Sequence, residues 1–72
     1  MKVLFYCGKS GQAEKILVQD KNKRLYTVYC YMGNPSQDFV VDEKGYLIDN
    51  IKLNCETRIV ARNYLIKRRK YR

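Results

Sequence analysis

The stretch Leu25 to Met32, Leu-Tyr-Thr-Val-Tyr-Cys-Tyr-Met, constrains this chain more than any other. Its Tyr, Thr and Val residues are strong β-formers. Strand alternation sends Tyr26, Val28, Cys30 and Met32 to one face and Leu25, Thr27, Tyr29 and Tyr31 to the other. Both sets are apolar, which predicts a central strand with something covering each side. With 72 residues the chain is a single domain, 1–72, and a domain of that size hides only about 60% of the surface its unfolded form exposes. The core is therefore small, self-association would enlarge it, and a homodimer is expected, the second copy being one way to cover the strand's second face.

The neighbouring segments supply partners for that strand. Lys2 to Cys7 is a short apolar and aromatic run that reads as a strand ending at Gly8. Residues 8–13, with two glycines and a serine, break the pattern, and Lys15 to Gln19 resume it with Ile16, Leu17 and Val18. Two readings of residues 12–19 stay open. Ser10 could cap a helix in which Ala13, Ile16 and Leu17 share a face, or 15–19 and 25–32 could be the arms of a hairpin joined through Asp20 to Lys23. The hairpin is the preferred reading. After the turn cluster Gly33 to Ser36, residues 38–42 and 46–51 flank Glu43, Lys44 and Gly45 as a second hairpin, with Gly45 at positive φ.

From Asn54 onward the period changes. Ile59, Val60, Ala61 and then Tyr64, Leu65, Ile66 make two apolar triplets about one helical turn apart. Asn54 reads as the N-cap, with Glu56 in the first turn and cations toward the C-terminal end, where they complement the helix dipole. The expected fold is α+β: a small antiparallel sheet of four to five strands, including two hairpins, followed by one basic amphipathic C-terminal helix.

That helix holds nearly all the net charge. The chain is +8, and residues 58–72 supply seven of those charges without one acid: Arg58, Arg62, Lys67, Arg68, Arg69, Lys70 and Arg72. At about 100° per residue, Arg58, Arg62, Arg69 and Arg72 fall within roughly 80° of one another, a stripe suited to a phosphate backbone. The same composition also describes a solvated helix end whose cations merely complement the dipole.

Other chemistries lack their parts. There is no histidine, the commonest metal ligand and the usual general base near neutral pH. Cys7, Cys30 and Cys55 are odd in number and widely spaced, fit neither a disulfide framework nor a zinc pattern, and read as buried, inert thiols. Among them Cys55, near the expected helix start, is the one candidate for an activated nucleophile. The carboxylates at Asp42, Glu43 and Asp49 sit at turn positions with no spacing for paired acid and base roles. No cofactor, metal or small-molecule substrate is expected. The opening MKVLFYCG is too short for a signal-peptide core or a membrane span, which reads as cytoplasmic with no membrane partner.

Two short motifs lead nowhere. Gly8-Lys9-Ser10 has the end of a phosphate-binding loop, but Val3 stands where the pattern needs glycine. Lys44-Gly45-Tyr46 matches the opening of the RNA-recognition octamer, but Leu47, Ile48 and Asp49 depart from it. Tyr6, Tyr26, Tyr29, Tyr31 and Tyr46 fall on expected strands, where rings either stack on unpaired bases or pack in a core or seam. In residue usage, rich in Lys, Asn, Ile and Tyr, the chain resembles the small open reading frames of phages and prophages of low-GC bacteria. The likeness is one of style and carries no functional residue.

The sequence thus leads to a non-catalytic basic binding protein whose helix cations, Arg58, Arg62, Lys67, Arg68, Arg69, Lys70 and Arg72, contact DNA or RNA phosphates. The alternative is a protein-interaction or inhibitor module that docks a partner, an acidic one included, or dimerises through Tyr29 and Tyr31.

Overall fold

Glycine geometry shapes the N-terminal third of the chain. A computed structural model describes residues 1–70. In it β1 (Lys2–Ser10) and β2 (Ala13–Gln19) pair antiparallel, with Ser10 opposite Ala13 across a two-residue turn that Gly11 opens at φ 63°. Gly8 does not end the first strand as expected. It takes φ 103° at a register shift between Tyr6 and Gly8, so the strand bends and continues to Ser10. Residues 13–19 are a strand, and their burial alternates with period two: Ile16 and Val18 are sealed while Lys15 and Leu17 lie on the other face.

β3 (Leu25–Cys30) pairs with β2, and the short β4 (Phe39–Val41) pairs with β3, giving one antiparallel sheet in the order β1-β2-β3-β4. The β2–β3 connection is organised by one carboxylate. Asp20 Oδ1 accepts from the amides of Asn22 at 2.8 Å and Arg24 at 2.9 Å, while Oδ2 accepts from the Tyr26 hydroxyl at 3.1 Å. After β4, Asp42 does the same, accepting from the amides of Lys44 and Tyr46, and Gly45 has φ 88° as expected. The returning arm of this second hairpin is shorter than residues 46–51. It makes one bridge, Leu47 to Val41, and an Ile48 amide bond to Val40, and Tyr46 lies outside any strand at 69% exposure.

The helix α1 (Ile51–Lys70) begins four residues earlier than expected, because Asn50 rather than Asn54 caps it. Asn50 Oδ1 accepts the Leu53 amide at 2.9 Å, and its carbonyl already accepts from Asn54. The first turn accordingly contains no acidic residue, and Glu56 lies beyond it.

The helix crosses one face of the sheet. Thr57, Ala61 and Leu65, spaced four apart, are fully buried against Ile16, Val18, Tyr26, Val28, Cys30 and Val40. Ala61 and Leu65 are the sealed members of the two apolar triplets, Val60 and Tyr64 pack half-buried beside them, and Ile59 and Ile66 point outward at 60% and 51% exposure. Thr57 is tolerated there because its hydroxyl donates to the Leu53 carbonyl at 2.6 Å. The other sheet face, bearing Leu17, Thr27, Tyr29, Phe39 and Val41, is half-buried, with no second layer among the described residues. β3 is therefore an inner strand covered on one side rather than two.

Candidate anion-binding surface

The tertiary structure divides the seven helix cations into different groups. Arg62 turns inward. Its Nε donates to Asp38 Oδ2 at 3.1 Å, its Nη2 pairs with the same oxygen, and its Nη1 lies 3.4 Å from Met32 Sδ. Arg58 is half-buried, folded along the helix with Nη2 3.4 Å from Cys55 Sγ, and its buried Nε has no hydrogen-bond partner among the described residues. These two do not join a surface stripe. Lys67, Arg68 and Arg69 are exposed near the end of α1, Lys70 is its last residue, and Arg72 lies outside the described residues.

At that end the helix meets β1. Arg68 follows Thr57, Ala61 and Leu65 on the inward side, past the last core residue, and its guanidinium carbon sits 4.1 Å from the centre of the Tyr6 ring. Arg69 Nη2 reaches Glu14 Oε2 at 2.7 Å, and the Tyr6 hydroxyl donates to Glu14 Oε1 at 3.1 Å. Burial first, then the hydrogen bond to Glu14, push the Tyr6 ionisation upward, so the hydroxyl stays a donor at neutral pH. Lys9, the cross-strand partner of Glu14, completes a cleft of about 380 Å³ floored by Leu65 and Gly8. Three cations thus line a cleft that holds one carboxylate, Glu14, and that carboxylate pairs with Arg69. Neither Lys9 nor Arg68 forms an ion pair among the described residues.

Lys9, Tyr6 and Glu14 were not legible as site residues in the sequence. The strand was expected to stop at Gly8, which would have left Lys9 in a loop. The usable signal was a Glu-Lys sequence opposite a Gly-Lys sequence around a two-residue Gly turn, which pairs Lys9 with Glu14 once the register is set.

A larger groove of about 820 Å³ carries Arg24 and Lys44 against Asp42 and Glu43, but its charges cancel, Asp42 closes its own turn, and Glu43 accepts from the Leu25 amide. Among the described residues no three His, Cys, Asp or Glu side chains group to hold a metal, and no helix is long and apolar enough to cross a membrane. The cysteines were expected to be buried, but only Cys30 is, with Cys7 exposed on β1 and Cys55 half-buried. Burial, reinforced by Asp38 and opposed by Arg62, pushes the Cys30 thiol up to about 11.

Tyr29 and Tyr31 lie together with Phe39 near one end of the open sheet face. Tyr29 stacks on Phe39 with centroids 4.6 Å apart, and Lys15 Nζ approaches the Tyr29 ring at 5.7 Å. Tyr31 meets Phe39 at 6.4 Å. One face of the Tyr29 ring is thus occupied by Phe39 rather than left open for a base. No protein-family model, curated protein or solved structure matches the chain.

Proposed function

We propose that this protein binds nucleic acid non-catalytically, gripping phosphates through the C-terminal part of α1. The observation that carries this reading is the meeting of Arg68 and Arg69 with Lys9 of β1 around one cleft, with Lys67 exposed on the same helical turn. Lys70 and Arg72 extend the basic run in sequence. Arg62 takes no part, because its guanidinium is paired with Asp38, and Arg58, folded along the helix against Cys55, does not line the cleft. Contacts of this kind position a backbone without reading its bases, so the expected binding is sequence-independent.

The test is fluorescence anisotropy of labelled single- and double-stranded DNA and RNA, titrated with the full chain at about 50 and 200 mM salt. Binding that weakens steeply with salt and is reduced by Lys67→Gln with Arg68→Gln is the expected result. No binding by the folded chain at the lower salt overturns the reading.

A second reading rests on the open sheet face, where Phe5, 55% exposed, pairs with Leu17 beside the Tyr29, Phe39 and Tyr31 cluster. Such a face suits a homodimer or a protein partner, and Lys15 beside Tyr29 suits an acidic one. Light scattering of the full chain and of Phe5→Lys tests the homodimer. A dimer lost in the variant supports it, and a monomer at high concentration removes it.

A further inference from the structure

We infer that the cleft between β1 and the end of α1 is a seat for a phosphate monoester, and, resting on the nucleic-acid reading above, for the phosphorylated end of a strand rather than its internal phosphodiesters. Charge matching is the first argument. Lys9, Arg68 and Arg69 against Glu14 leave a net charge of two positives in the cleft. A terminal phosphate carries about −1.5 to −2 at pH 7, whereas each internal diester carries a single charge. The end of the helix adds about half a negative charge of its own, so the attraction depends on the side chains.

Preorganisation is the second argument. Glu14, whose side chain is 10% exposed, accepts from Tyr6 and Arg69 at once and so fixes both groups. Arg68 is held against the Tyr6 ring with no carboxylate partner among the described residues, leaving its five N–H donors to a ligand. Lys9 approaches from β1 as a mobile point charge. Size is the third argument. At about 380 Å³ the cleft falls in the range of small-ligand pockets, with room for a phosphate and its attached sugar.

The experiment compares one labelled oligonucleotide in 5′-phosphate, 3′-phosphate and hydroxyl-ended forms, with a circular strand lacking ends, and a nucleoside monophosphate followed by amide NMR shifts. The expected result is about tenfold tighter binding of one phosphate-ended form than of the hydroxyl-ended or circular forms. Lys9→Gln with Arg68→Gln should abolish that preference while circular dichroism and the melting temperature stay near those of the parent. Lys44→Gln, on the opposite groove, should leave the preference intact. If the monophosphate alone shifts Lys9, Glu14 and Arg68 amides and no oligonucleotide binds, the seat stands and belongs to a free phosphorylated small molecule, while the nucleic-acid reading fails. Equal affinity for all oligonucleotide forms overturns the seat and leaves that reading intact. Absence of both signals overturns the two together.

Discussion

Arg62 and Asp38, twenty-four residues apart, form a two-point ion pair in which Asp38 is almost wholly buried, its side chain 2% exposed. Asp38 Oδ1 also accepts the Tyr31 amide at 2.7 Å, and Arg62 Nη2 lies 3.5 Å from the Tyr31 carbonyl. The pair fastens the helix to the end of β3 and the entry to β4. It also takes from the helix the cation that its sequence position would have assigned to a phosphate stripe.

Removing Asp38 leaves an uncompensated guanidinium that is largely enclosed. Asp38→Ala should therefore destabilise the fold by about 2–4 kcal/mol, at the lower end because Arg62 keeps some water contact. Urea unfolding followed by circular dichroism measures this. An unchanged midpoint would show that the pair contributes no net stability.

Asp20 makes stability depend on acid pH. Partial desolvation pulls its pKa up, but the Arg24 amide, the Tyr26 hydroxyl and the Asn22 amide outweigh it and hold the carboxyl below its usual value. The folded state thus binds fewer protons than the unfolded one, so this contribution is present above the unfolded pKa of about 3.9 and is lost as pH falls through the lower folded value. The stability gap between the parent and Asp20→Asn should narrow from pH 5 to about pH 2.5. A gap that stays constant across that range contradicts the assignment.

Leu65 joins the helix end to the core and is fully buried. Leu65→Ala should cost about 2–5 kcal/mol, a large share of what so small a domain has. Deleting the residues after Asn63 would remove this side chain too, so charge substitutions rather than truncation separate binding from folding. A thermal melt shifted by only a degree or two would place Leu65 outside the core.

The three thiols should differ in reactivity. Cys7, exposed on β1, reacts fast with an aromatic disulfide reagent; Cys55 reacts slowly; and Cys30, buried and raised to about 11, reacts only on unfolding. Cys7→Ser should remove the fast phase alone. Rapid modification of two or three thiols in the native protein would refute this burial pattern.

The nucleic-acid reading fixes a salt slope. With about three phosphates neutralised by Lys67, Arg68 and Arg69, log K should fall against log salt with a slope of about −2 to −3, and Lys67→Gln should reduce it by roughly one. A slope near zero would mean that any binding is not electrostatic.

Much of the fold was written locally. The β-formers of residues 25–30, the left-handed Gly45 and the helical period after residue 54 each depend on neighbours a few positions away, where side-chain alternation and backbone sterics act directly. Helix onset was less legible: Asn54 reads as the cap from the local period, whereas the cap is Asn50, set by where the returning arm after β4 releases the chain. The candidate anion-binding surface was legible only as net charge. Whether a given arginine meets solvent or an acid depends on contacts spanning the chain, Arg62 with Asp38 and Arg69 with Glu14, and these exist only after the sheet has set its register and the helix has docked. Composition determined that this protein is basic; packing decided which of its cations face outward, because a helix that buries one side must turn some of its charges toward the acids its core brings near.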